Sequence, residues 1–353
     1  MRLVGKMRVL LVLVAITQVS CGGRALGGDN STDSSADSAV VSDDGAVGND
    51  GCTVGCSGEP VLLANEPYQV WFLAVDSTHV YWSTRVGELK KVPLAGGTST
   101  LLYNGELRPE GIVLDSTHVY WVDPSGGVVM KSPKVGGAAI EVASGYPQFE
   151  FPIALDTTHV YWIQNPSSDS DFLLRAPLDG GVPTVVLEVA DSILGLAIDA
   201  THAYLICRYS GSVIKVPLDG GATEEIVSGD INPFLLAVDS SRAYWIGGNG
   251  SVVKSAPLSG GASIVLAESA FTNLDSSSWG TLHRLVIDDT HVYWTGYGVA
   301  LVGAVSKVPL DGGSTTVLAT GEYRPYALAV DSTHVYWTNR CTDGGCYLMK
   351  VPK

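Results

Sequence analysis

The sequence predicts an all-β chain, a seven-bladed β-propeller, and three observations predict it. A motif returns seven times: DSTHVYW at Asp76, Asp115 and Asp331, with close variants at Asp156, Asp199, Asp239 and Asp288. Its spacings are 39, 41, 43, 40, 49 and 43 residues, the length of one four-stranded propeller blade. Finally, 41 Gly and 17 Pro in 353 residues, without a sustained 3.6-residue apolar period beyond the first twenty, indicate a turn-rich β chain rather than a helical one.

Each unit reads as four short strands. Strand A is an aliphatic run ending at the motif Asp, as in Leu73–Asp76 and Leu328–Asp331, and strand B is the Val-Tyr-Trp segment. Strand C ends in Lys-Val-Pro-Leu-Asp-Gly-Gly or a variant, as at Lys215–Gly221 and Lys307–Gly313, and strand D follows, as in Thr315–Thr320. The paired glycines supply the positive φ of a tight C–D connection. Blade 5 reads as carrying one extra residue, in Lys254-Ser255-Ala256-Pro257, a β-bulge. The seventh unit stops at Lys353 after strand C, while Pro60–Ala64 resembles a strand D without a blade. That segment is expected to complete the last blade and close the ring, leaving no open edge between first and last blades.

Residues 1–20 read as a targeting segment. Arg2, Lys6 and Arg8 precede an eight-residue apolar stretch, Val9–Ile16, far short of the roughly 20 residues a bilayer span needs. Gln18-Val19-Ser20-Cys21 is similar to a bacterial lipobox, with Gln18 where an aliphatic residue is usual, and implies lipidation of Cys21. An ordinary secretory peptide with an incidental Cys is the alternative. Residues 21–59, rich in Gly, Ser and Asp, bury too little apolar surface to order themselves and read as a tether. The propeller then occupies residues 60–353. These features place the chain in the cell envelope of a bacterium, on the periplasmic or surface side, attached to the membrane by the lipid alone.

Loss of the three leader cations takes the net charge from −15 to −18. Such acidity repels phosphate backbones and argues against nucleic acid as a partner. In an oxidising compartment the short-range pairs Cys52–Cys56 and Cys341–Cys346 are the expected disulfides. Cys207 has no obvious partner and reads as a small buried hydrophobe.

What repeats in every blade is most simply part of the blade. The seven Asp residues are expected to accept backbone N–H groups of the A–B turn. His79, His118, His159, His202, His291 and His334 share that turn, with Arg242 in blade 5. They belong to different blades and cannot converge as metal ligands, so no metal and no cofactor is expected. The Tyr-Trp pairs read as core, and the Lys ahead of each Val-Pro as solvated or ion-paired. Position −2 from each Asp is Ala or Val, and −1 and −3 are aliphatic throughout. The channel therefore lacks the ligands that metal-dependent hydrolases of the gluconolactonase type place there.

Function is sought where the symmetry breaks. The D–A and B–C loops share one face, on which position −5 opens strand A. Its occupants are Trp71, Glu110, Phe151, Leu194, Phe234, His283 and Tyr326, four of them aromatic. Arg108 and Arg324 stand at −7, Glu150 at −6 and Arg284 at −4, and the longest D–A connection carries Trp279. An aromatic-lined mouth with a few charges fits sugars, peptides or aryl groups, and its arginines could fork onto a carboxylate. The alternative is a plug that packs the channel.

The repeats DSTHVYW and KVPLDGG resemble the YWTD and NHL group of propellers. They resemble more closely bacterial lipoproteins of the myxobacterial type that carry tandem units of this kind. The resemblance covers Pro60 to Lys353 and implies the fold, with little bearing on activity. The Tyr-Trp pair itself is kept in blades 1, 2, 3, 5, 6 and 7, and blade 4 has Tyr204-Leu205 instead. The function expected is a monomeric binding or interaction scaffold for an unidentified protein, peptide or glycan. One alternative is a lyase or hydrolase similar to the streptogramin-lyase propellers, with His283 and Glu110 as the acid–base pair. A purely structural envelope protein is the other.

Overall fold

The computed structural model describes residues 58–105, 108–144, 149–165, 170–269, 282–298, 301–341 and 345–353, with the backbone alone at 149–151. Among them, seven four-stranded antiparallel sheets form a ring, each ordered A-B-C-D from axis to rim. The inner strands are Val70–Val75, Glu110–Leu114, Phe149–Leu155, Ile193–Ile198, Phe234–Val238, Leu282–Ile287 and Pro325–Val330. Each touches the inner strands of both neighbouring blades, the last blade meeting the first. Cys52 and Cys56 lie outside the described residues.

The closing strand is Val61–Glu66. It pairs antiparallel with strand C of blade 7, from Val61 beside Lys350 to Glu66 beside Cys346. Leu63 packs into a core shared with Val80, Trp82 and Leu348. Glu66 is 2% exposed, and accepts hydrogen bonds from Trp82 Nε1 at 3.0 Å and Lys90 Nζ at 2.9 Å. One short strand thus belongs to blade 7 by its backbone and to blade 1 by its last side chain.

The repeated residues build the blade itself. In each unit the motif Asp ends strand A and uses both carboxylate oxygens. In blade 1, Asp76 Oδ1 accepts the backbone N–H of Thr78 at 2.8 Å and of His79 at 2.9 Å, and Oδ2 accepts the Tyr81 hydroxyl at 2.9 Å. Tyr120, Tyr161, Tyr204, Tyr244, Tyr293 and Tyr336 donate to their own Asp in the same way. The turn histidines hydrogen-bond through Nδ1 to the adjacent Thr hydroxyl, as His159 does with Thr158 at 2.7 Å. Burial works against the charge on Asp115, but the N–H groups of Thr117 and His118 and the Tyr120 hydroxyl outweigh it and hold the carboxyl below its usual range. The Trp of strand B is buried in every blade that has one.

Two expectations are corrected. The strand C cations, expected to be solvated or ion-paired, serve first as inter-blade clips, because strand C faces the C–D turn of the next blade. Lys91 donates to the Lys134 carbonyl at 2.7 Å, Lys131 to Leu178 at 2.6 Å, Arg175 to Leu218 at 2.7 Å, and Lys350 to Leu94 at 2.6 Å. Arg175 and Lys215 add ion pairs to Asp219 and Glu224. Blade 5 contains no extra residue: Tyr244 pairs with Ser255 and Trp245 with Lys254 in unbroken register. Ser255 simply replaces the clip lysine, and Arg242, which replaces the turn histidine, donates to its hydroxyl at 2.8 Å. The shift between strands C and D at Val253/Lys254 recurs at the same place in blades 1 to 4.

A chain lacking residues 1–66 is expected to melt well below the parent and to associate, because the edge of strand C in blade 7 is uncovered. A chain lacking only residues 1–58 should melt like the parent. Calorimetry and size-exclusion chromatography of the two truncations check this, and equal melting of all three chains would remove the closing role.

Candidate functional site

The mouth residues occupy a place where strand A departs from regular pairing. In blade 1, Val70 pairs with Thr84 and Phe72 with Ser83, so the register skips Trp71. Leu194 and His283 are skipped in the same way in blades 4 and 6. A bulge bends its strand and re-aims the side chain that it frees, here at the open end of the inner strand. The −5 residues are half-buried in blades 1, 4, 5, 6 and 7, whereas Glu110 is buried. The Phe151 side chain and Trp279 lie outside what is described.

The structure gathers part of the mouth into one corner spanning blades 6, 7 and 1. The His283 ring stacks on Tyr297, with centroids 4.2 Å apart and planes 7° from parallel, and lies 6.1 Å from the Tyr326 ring. The Arg284 guanidinium sits 4.5 Å from the Tyr326 centroid and 5.2 Å from that of Phe72. It donates to the carbonyls of His283 at 2.9 Å and Trp71 at 3.4 Å. Arg324 lies 5.4 Å from the Tyr297 ring, and Arg340 lies 5.5 Å from the Tyr326 ring. Burial, followed by the charges of Arg284, Arg340 and Arg324, pushes His283 down to about 4, so its imidazole is neutral at physiological pH.

His283, Arg284, Arg324 and Tyr326, all read from the sequence, thus meet, and Trp71 joins them through its backbone carbonyl. Phe234 instead packs against the core between blades 5 and 6, and Leu194 against that between blades 4 and 5. Tyr297 and Arg340 escaped the sequence reading because it followed strand A. Tyr297 extends strand B of blade 6 to seven residues, and Arg340 opens the B–C loop that the Cys341–Cys346 disulfide closes. The arginine directly ahead of that cysteine pair was the available signal.

Arg108 and Glu110 form a separate neighbourhood in blade 2. The Asp123 carboxylate accepts the backbone N–H groups of Arg108 and Gly126. Glu110 Oε2 is buried and unpartnered among the described residues. Burial and then the Asp123 charge raise Glu110 to about 7, against the opposing pull of Arg108. The charges acting on Glu110 and on His283 are thus different sets. Among the described residues no group of three or more His, Cys, Asp or Glu could hold a metal ion. Cys207 is buried, and burial pushes its thiol up to about 12, which leaves it inert.

No protein-family model matches the chain, and no curated protein matches it. Solved structures do. U3-55K is 9% identical with a TM-score of 0.64, over 83% of this chain and 98% of that one. A puromycin-hydrolyzing peptidase of Mycobacterium tuberculosis is 13% identical with a TM-score of 0.62, over 84% of this chain but 54% of the peptidase. The computationally designed Ika8 protein is 12% identical with a TM-score of 0.58, over 83% and 99%. At such identities the likeness defines the fold class alone: the chain is a seven-bladed β-propeller.

Glu110 carries a pH dependence whose sign follows from its burial. Its folded value, about 7, lies above the ordinary 4.5. The preference for the protonated form therefore favours the fold below about pH 4.5 and is lost as pH rises through 7. Glu110→Gln is expected to be more stable than the parent at pH 8, by about 3 kcal/mol at most, and to match it near pH 4. Melting curves of both proteins between pH 4 and 8 check the crossover.

Proposed function

We propose that the propeller is a ligand-binding or interaction module of the bacterial cell envelope that works through its D–A/B–C loop face. One observation carries the reading. Residues repeated around the ring are absorbed by blade and inter-blade hydrogen bonds, whereas the non-repeated aromatic and charged side chains of blades 6, 7 and 1 crowd into one half-buried corner. A packing plug would favour aliphatic residues; cations set over aromatic faces suit recognition of a polar ligand. The partner is a peptide, a glycan or a protein, met by a monomer.

A glycan and metabolite array probed with the whole chain tests this. Trp71→Ala and Tyr326→Ala should each weaken capture of any hit by about tenfold, equivalent to roughly 1.4 kcal/mol, and leave the melting temperature nearly unchanged. Early unfolding of both variants, together with a blank array for the parent, would favour the structural-protein reading.

Attachment through Cys21 is part of the same proposal, supported by Gln18-Val19-Ser20-Cys21 and the acidic, Gly- and Ser-rich stretch behind it. Mass spectrometry of the mature N-terminus is expected to find a diacylated Cys21. An unmodified N-terminus at another residue, on a freely secreted protein, would remove the anchor.

A further inference from the structure

Three guanidinium groups share the blade 6–7 corner of a chain whose net charge is −15. Arg284 comes from strand A of blade 6, Arg324 from the D–A connection into blade 7, and Arg340 from the B–C loop of blade 7. Like charges gathered this closely repel one another, and an acidic protein has carboxylates to spare. Yet among the described residues no ion pair engages any of the three, although eight pairs form elsewhere. The Nε atoms of Arg324 and Arg340, and Nε2 of His283, are buried and lack a hydrogen-bond partner among those residues. Buried polar atoms without partners are costly.

The backbone holds this arrangement in place. Arg324 has φ of 48°, and Leu301, whose carbonyl accepts its N–H at 2.8 Å, has φ of 63°. The Arg340 N–H reaches the carbonyls of Tyr323 and Arg324 at 3.2 and 3.3 Å, and the disulfide begins at the next residue. Non-glycine residues at positive φ are persistent strain, which clusters where a ligand is clamped. Beside the cations lies the flat His283–Tyr297 stack and the Tyr326 ring.

We propose that this corner binds the carboxylate of a small organic acid, an acidic sugar among them, gripped by Arg324 and Arg340 with Arg284 beside them and its ring or carbon skeleton laid on the aromatic faces. A guanidinium presents two parallel N–H donors that match a carboxylate. The acidic surroundings disfavour a polyanion, which would bring many charges into a field of the same sign, whereas one carboxylate is neutralised at the corner itself. The inference rests on the loop-face reading above and assigns its ligand class.

The test is titration calorimetry of the full chain with sodium glucuronate, set against glucose, inorganic phosphate and inorganic sulfate. Glucuronate should bind and glucose should not. Arg324→Gln and Arg340→Gln should each weaken glucuronate about tenfold or more, with melting temperatures close to the parent's. A second measurement needs no variant that must fold: NMR titration of His283 in the parent should show its pKa rising when glucuronate is bound, because the anion offsets the arginine field. The proposal is overturned if the parent ignores glucuronate, if glucose binds equally, if phosphate or sulfate binds more tightly, or if both Gln variants keep full affinity. An array hit that is lost in Trp71→Ala but indifferent to both Gln variants sinks the carboxylate assignment and leaves the loop-face reading standing. A blank array together with silent glucuronate sinks both.

Discussion

The carboxylate that ends each inner strand is the contact on which the rest of the molecule depends. One oxygen gathers the two N–H groups of the A–B turn, and the other holds the strand B tyrosine. A turn, a strand end and a buried ring are thereby fixed by a single side chain, at an interaction strength that charged hydrogen bonds reach and neutral ones do not. Replication of this unit seven times sets how strand B faces strand A, and so where the Tyr and Trp side chains fill the gaps between blades. The outward-facing cation of strand C then reaches the next blade's turn, so neighbours are locked by the same backbone that closes each hairpin.

Blade 7 is where this regularity is interrupted. Its outer strand comes from the N-terminal segment, so no C–D turn stands there to receive the clip from blade 6. Lys307, which occupies the clip position, is 1% exposed and has no hydrogen-bond partner among the described residues, and burial lowers it to about 8. Lys353 lies close by and pairs with Asp288 at 2.9 Å. At the junction of blades 7 and 1, by contrast, the Lys350 clip is kept and Glu66 adds a second tie, from the closing strand to Trp82 and Lys90. The carboxylates that cap other strand B tryptophans show the same device, Asp230 of a D–A connection on Trp245 and Glu322 near the end of a strand D on Trp337.

Almost all of the fold could be read from the chain because it is written seven times, and a repeated residue reveals its job by recurring. Even the closing strand at Val61–Glu66 followed from one missing strand and one surplus strand. In blade 5 a single copy deviates: lysine sits one position earlier, at Lys254, which suggests an insertion, and only the pairing of Tyr244 with Ser255 shows which residue holds the slot. The strand C cations recur, but the next blade's carbonyl that receives them leaves no mark in the repeat. The corner was half legible. Trp71, His283, Arg284, Arg324 and Tyr326 stood out by breaking symmetry along one strand, but Tyr297 and Arg340 reach it from a strand end and a loop of different spacing. Convergence of segments distant in sequence leaves no periodic trace.

The direction of the closing strand has a consequence for access. It begins beside Lys350, near the A–B turn at Thr333, and ends beside Cys346 at the loop face. The chain therefore enters the closing strand at Val61 on the turn side of the propeller. A strand of five or six residues spans about 17–20 Å, and that thickness of packed sheet separates the entry point from the arginine corner. A propeller held from its N-terminal side would show its repeating turn surface to whatever holds it. Its one asymmetric surface would be turned outward, open to large ligands as readily as to small ones.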